Sequence, residues 1–150
     1  MPGKTNPTVV IADADAIISF VNVEDASHRK TKQIMQHLAL LQADLLFPTT
    51  AICEAVTVLR GKLNKPNDAG KVIAQLLRGD FSVQAVDQDI LSVALTLYNP
   101  LASKKNTLFD AVVAALTKRH NADAIFSFDE WYGKIGLTLA GDLIAGSKAA

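Results

Sequence analysis

Short apolar runs rich in β-branched residues alternate along this chain with longer stretches of helical periodicity, and few folds accept that order. The first run spans residues 8–12 (Thr8, Val9, Val10, Ile11, Ala12) and stops at Asp13. A second covers residues 45–47 and stops at Pro48, which cannot donate to a ladder. Residues 81–86 and 124–126 read as further strands, and residues 137–143 as a weak last one. Between them lie helical patterns. One starts at Ser27 and runs to about Leu41, with Ile34, Leu38 and Leu41 on one face. Another opens at Thr49 or Thr50 and stops near Gly61, and a third is capped by Asn67 or Asp68 and runs to Leu77. Residues 87–97 form a fourth, broken by Asn99-Pro100. The clearest begins at Thr107 and ends near His120, with Leu108, Ala111, Val112, Ala115 and Leu116 at helical spacing. Short strands joined through helices pair in parallel. The expected fold class is therefore α/β, a three-layer α/β/α sandwich with a mostly parallel central sheet. No internal repeat or second domain is visible, so residues 1–150 read as one domain with a loose leader at 1–7 and a frayed tail at 146–150.

Composition removes several classes of function. Lys plus Arg and Asp plus Glu each number 15, so bulk charge does not announce a nucleic-acid binder, and any such binding rests on local basic patches or bound cations. The one cysteine, Cys53, has no partner for an internal disulfide and lies in an apolar run, which reads as a core thiol in a reducing compartment. No apolar run reaches the roughly 18 residues of a membrane span, and the N-terminus lacks the order of a signal peptide. A cytoplasmic location is expected.

The acids are more informative. Asp13 and Asp15 follow the first strand at once, and Asp129 follows the strand at 124–126 in the same way. Ligands of open parallel sheets bind beyond the carboxyl ends of the strands, so neighbouring strands would bring these acids together. Asp110 stands three residues after Thr107, in the first helical turn; a capping acid is the plain alternative. Glu54 is the only charged residue between Asp44 and Arg60, on a helix with few other polar groups. Converging carboxylates repel unless cations join them, and oxygen donors of this kind suit Mg²⁺ or Mn²⁺. His28, His37 and His120 are scattered and offer no zinc set with the single cysteine.

In order and spacing these segments resemble the PIN-domain family. Val9-Val10-Ile11-Ala12-Asp13-Ala14-Asp15 resembles its opening strand and acidic turn, and Pro48-Thr49-Thr50-Ala51-Ile52-Cys53-Glu54 its second motif. Phe109-Asp110-Ala111-Val112 resembles the third, and Ile125-Phe126-Ser127-Phe128-Asp129 the last. The likeness covers roughly residues 8 to 145, and the size is that of VapC-like toxins. It implies an endoribonuclease with Asp13, Glu54, Asp110 and Asp129 as its catalytic acids, holding one or two Mg²⁺ or Mn²⁺ ions. Asp15 would join them through water or support the turn. The resemblance further implies cleavage leaving a 5′-phosphate and a 3′-hydroxyl, a cognate antitoxin, and a homodimer through helical faces near Ile34 and Leu76. Lys104, Lys105, Lys118, Arg119, Arg29 and Lys30 are candidate phosphate contacts. Two rivals stand beside it. Asp13-Ala14-Asp15 also resembles the first motif of haloacid-dehalogenase-like phosphatases, although Ile17 stands where Thr or Val is usual. A non-catalytic PIN-like binding domain would lack some of the acids.

Overall fold

The computed structural model describes residues 6–149, with side chains through residue 145. Four strands, β1 (Val9–Ala12), β2 (Asp44–Pro48), β3 (Ser82–Gln84) and β4 (Ala124–Phe126), form one sheet in the order β3-β2-β1-β4, with every pairing parallel. The helices are α1 (Ala14–Val21), α2 (His28–Leu40), α3 (Thr49–Arg60), α4 (Pro66–Leu77), α5 (Gln88–Leu97), α6 (Leu108–Arg119), α7 (Trp131–Lys134) and α8 (Ala140–Ala149). The layers follow from the period-two alternation of the central strands. Val10, Ala124 and Phe126 face Ile34 and Leu38 of α2 and Ala140 and Ile144 of α8. Ile11 and Ile125 face Val113 and Ala114 of α6 on the other side. Covered on both faces, β1 is apolar throughout, as a central parallel strand must be. Among the described residues no helix is long and apolar enough to cross a membrane.

Several expectations need correction. Residues 14–21 form α1, which no polar–apolar period announced. Ala14, Ala16, Ile17, Ser19 and Val21 are all buried, because α1 packs on the sheet-side cluster and also on α3 and α4. A helix buried around most of its circumference loses the stripe by which helices are recognised. The weak strand at 137–143 shrinks to a single bridge between Leu139 and Ile125, after which the chain turns into α8. That helix spans Ala140–Ala149; residue 150 of the tail and residues 1–5 of the leader lie outside the described residues. The strand at 81–86 keeps only Ser82–Gln84. α4 starts at Pro66, whose fixed φ suits a first turn, so Asp68 lies inside that turn and does not cap it. Leu41 is exposed, because α2 has ended, while Ile34 is buried and offers no dimer surface; Leu76 remains exposed.

Cys53 is also exposed, against the core role expected of it. Its neighbours Ala51, Ile52 and Ala55 take the buried face of α3, which turns residue 53 outward. One thiol per native chain should therefore react with a disulfide reagent without denaturant. Cys53→Ser should change stability by no more than about 0.5 kcal/mol in urea unfolding, as surface substitutions do. A thiol that reacts only in urea would contradict the exposure.

Candidate active site at the carboxyl edge of the sheet

The strand order reverses between β1 and β4: the chain leaves β1 toward β2 and β3, and returns to place β4 on the other flank. Crevices open at such switch points, beyond the carboxyl ends of the strands. Asp13 and the segment Ser127 to Asp129 occupy those two ends, held in register by the Asp13 N–H donating to the Phe126 carbonyl at 3.0 Å.

Asp13 is 4% exposed and is the N-cap of α1; its Oδ1 accepts from the Ala14 N–H at 2.7 Å. Its Oδ2 accepts from the Tyr132 hydroxyl at 2.6 Å. Burial pushes the Asp13 carboxyl well above the usual carboxylate range, and repulsion from Asp15 adds to it; the Tyr132 hydrogen bond works against both. The Asp15 Oδ2 accepts from the Phe128 N–H at 2.8 Å and the Ser127 hydroxyl at 3.0 Å, while its Oδ1 is buried with no hydrogen-bond partner among the described residues. Burial raises this carboxyl too, opposed by those two donors. Asp129 accepts from the Asn106 side-chain amide at 3.0 Å and from the Trp131 N–H at 2.9 Å. Its own N–H donates to the Ser127 Oγ at 3.1 Å, so one hydroxyl ties Asp15 to Asp129.

Asp110 arrives on α6. Its Oδ2 accepts from the Thr107 N–H at 2.8 Å, the capping contact expected of it. Yet its carboxyl is raised, by burial first and by the charge of Asp129 as well. Glu54 arrives on α3, which starts directly after β2. Partial burial, then the charges of Asp110 and Asp15, push it up to about 7. The five sequence-picked acids therefore form one mutually repelling set: Asp13 feels Asp15 and Asp110, Asp15 feels Asp129, and Glu54 feels Asp110 and Asp15. Among the described residues no cation stands among the largest causes of these shifts, and ion pairs such as Arg119–Asp87 and Lys65–Glu24 engage other acids. Among the described residues, no three His, Cys, Asp or Glu side chains are drawn together closely enough to constitute a formed metal site.

Sequence reasoning missed Tyr132, Ser127 and Asn106 as supports of these acids. Ser127 and Asn106 were visible as small polar residues beside the motifs. Tyr132 carries no such signal, since an aromatic residue in a four-residue helix reads as core. It is fully buried, and burial together with the charge of Asp13 keeps its phenol protonated as a donor.

The metal-free protein should lose stability as pH rises through this set. Asp13, Asp15, Glu54 and Asp110 each bind a proton more tightly folded than unfolded. The stability is therefore fully present below the unfolded values of 3.8 for Asp and 4.5 for Glu, and falls until the folded groups ionise, Glu54 at about 7. Urea midpoints in EDTA should decline between about pH 4 and 7, and Glu54→Gln should flatten the upper part of that limb. A wild-type midpoint that climbs steadily through the window would refute the repulsive set.

A family model for the PIN domain matches residues 10–136. The chain belongs to the PIN-domain family. That membership removes the dehalogenase-like phosphatase reading. Among solved structures, this PIN domain is similar in fold to VapC20 of Mycobacterium tuberculosis, described as a sarcin-ricin loop cleaving toxin. The TM-score is 0.73 at 16% identity, over 86% of this chain and 96% of that one. No curated protein matches the chain.

Proposed function

We propose that this PIN domain is a Mg²⁺- or Mn²⁺-dependent endoribonuclease of the cytoplasm that hydrolyses RNA phosphodiester bonds to a 5′-phosphate and a 3′-hydroxyl. The observation that carries the reading is the set of five repelling carboxylates at the strand-order reversal, with no ion pair to a cation and no hydrogen-bond partner for the buried Asp15 Oδ1 among the described residues. An all-oxygen donor set of this charge fits a hard divalent ion. Family membership and the fold shared with a toxin that cleaves the sarcin-ricin loop support RNA as substrate. Retention of all four family acids favours catalysis over a purely binding role.

Asp13 and Asp110 would hold the metal directly, with Asp129 as a third ligand or as the group orienting a bound water. Asp15 would face it with its free Oδ1. One or two ions held there would supply the Lewis acidity that activates water at neutral pH and would offset charge on the phosphate. The chain's own part is to fix the acids: Tyr132 aims Asp13, Ser127 and the Phe128 N–H aim Asp15, and Asn106 aims Asp129. Partial burial and the charges of Asp110 and Asp15 push Glu54 up to about 7, and a cation there would favour its ionised form, so metal uptake should release protons near pH 7.

Cleavage of RNA by the purified chain with Mg²⁺ or Mn²⁺, abolished by EDTA, tests the reading; a folded chain inactive with either ion would end it. Metal at about a hundred times its Kd should also stabilise the native state by about 2.7 kcal/mol, roughly 5–10 °C in Tm for a chain of this size. Asp13→Asn should reduce that gain, and an equal gain in both proteins would remove Asp13 as a ligand. A cognate antitoxin would cover the acidic edge with a peptide whose Arg or Lys meets the carboxylates. A homodimer would use the exposed α4 face around Ile73, Leu76 and Leu77. Sedimentation as a monomer at tens of micromolar would refute the dimer.

A further inference from the structure

Beside the acids opens a cleft of about 280 Å³, lined in part by Tyr98, Asn99, Asn106, Thr107, Trp131 and Lys134. Its wall is shared with the candidate active site. Asn106 donates to Asp129, the Trp131 N–H donates to the same carboxylate, and the Thr107 N–H holds Asp110. The cleft is thus one side chain away from two of the acids. Its composition is unlike theirs. Two aromatic residues flank it, two asparagine side chains supply donors and acceptors, and Lys134 brings a positive charge. Lys134 makes no ion pair among the described residues.

Those groups match one ligand chemistry. Aromatic faces stack on any nucleobase, amides meet base edges, and an ammonium meets phosphate. The volume lies just under the range of about 300–1,000 Å³ for pockets that enclose a whole ligand, which suits one base and not a folded helix. Double-stranded RNA presents no free base face to such a cleft, whereas a single strand or loop does. Electrostatics agrees: the acidic edge repels a phosphate backbone, so a strand needs a cationic hold next to it.

We propose that this cleft binds a base of single-stranded RNA next to the scissile phosphate, stacked between Tyr98 and Trp131, with the neighbouring phosphate on Lys134. The assignment rests on the ribonuclease reading and adds to it the site that selects unpaired nucleotides.

Trp131 is the chain's one tryptophan, so its fluorescence reads this cleft, and ribose 5-phosphate controls for changes at the neighbouring acids that reach it through Asp129 and Tyr132. Titration of the wild-type protein in Mg²⁺ with nucleoside 5′-monophosphates should quench it saturably, while ribose 5-phosphate, which lacks the base, should not. Lys134→Gln, at an exposed position, should raise KM for a single-stranded RNA several-fold with kcat unchanged, and lower the salt slope of binding by about 0.7–1. Tyr98→Leu should raise KM about tenfold, the scale of one lost stacking contact. Equal quenching by ribose 5-phosphate, no quenching at all, or an unchanged KM in Lys134→Gln would overturn the cleft assignment while cleavage itself persists. Failure of the wild type to cleave RNA would instead bring down the ribonuclease reading, and the cleft with it.

Discussion

Asp110→Asn should cut metal-dependent RNA cleavage at least about a hundredfold and leave the fold intact, the scale of losing a principal electrostatic group of a transition state. The two roles of Asp110 separate cleanly in this substitution. As a capping residue it needs an oxygen for the Thr107 N–H, now 2.8 Å from Oδ2, and asparagine supplies one. As a metal ligand it needs charge, and asparagine has none. The folded protein should tolerate the loss well without metal, because Asp110 repels Glu54 and Asp13 and is itself raised by burial. Cleavage rates at saturating Mn²⁺, taken with circular dichroism on the same sample, decide between the roles. Near-normal turnover by a folded variant would leave Asp110 as a helix-start acid only.

Tyr132→Phe should weaken Mn²⁺ binding roughly ten- to a hundredfold and slow cleavage at limiting metal, although no atom of Tyr132 need touch the ion. The phenol is buried, donates at 2.6 Å to the Asp13 Oδ2, and so fixes the direction of a carboxylate whose other oxygen is committed to the Ala14 N–H. Phenylalanine keeps the ring and its packing against Ile11 and Ile125, so no large cavity opens. What is lost is the partner of a buried acceptor, which costs about 1–3 kcal/mol. That cost shrinks where Asp13 is protonated, and burial makes it hold its proton unusually well. Titration calorimetry with Mn²⁺ and urea unfolding at two pH values would measure both effects. Unaltered Mn²⁺ affinity would show that Asp13 does not depend on Tyr132 for its orientation.

The strands and most helices could be read because their signals are local. Val9 to Ala12 is apolar on both faces, and Leu108 to Leu116 keeps a helical stripe, whatever the rest of the chain does. The candidate acids could be picked for a related reason: a charge directly after a buried strand is costly unless used, and Asp13 and Asp129 stand at such points. The parallel pairing also followed, since short strands joined by helices leave little choice.

Other features had no local cause to read. α1 has no polar stripe because three neighbouring helices and the sheet bury it. Residues 137–143 read as a weak strand, but Ala140 and Ile144 find an apolar surface on β4 and α2 only as a helix. Cys53 was misplaced because an apolar neighbourhood in sequence does not say which side of α3 meets α1 and α4. Tyr132 meets Asp13 across 119 positions, and Ser127 reaches Asp15 across 112. Residue types and short spacings thus specified which groups carry charge and which segments are strands or helices. Which of those charges lose water, feel one another and acquire a donor depends on contacts between distant segments, and these exist only after β4 has paired with β1.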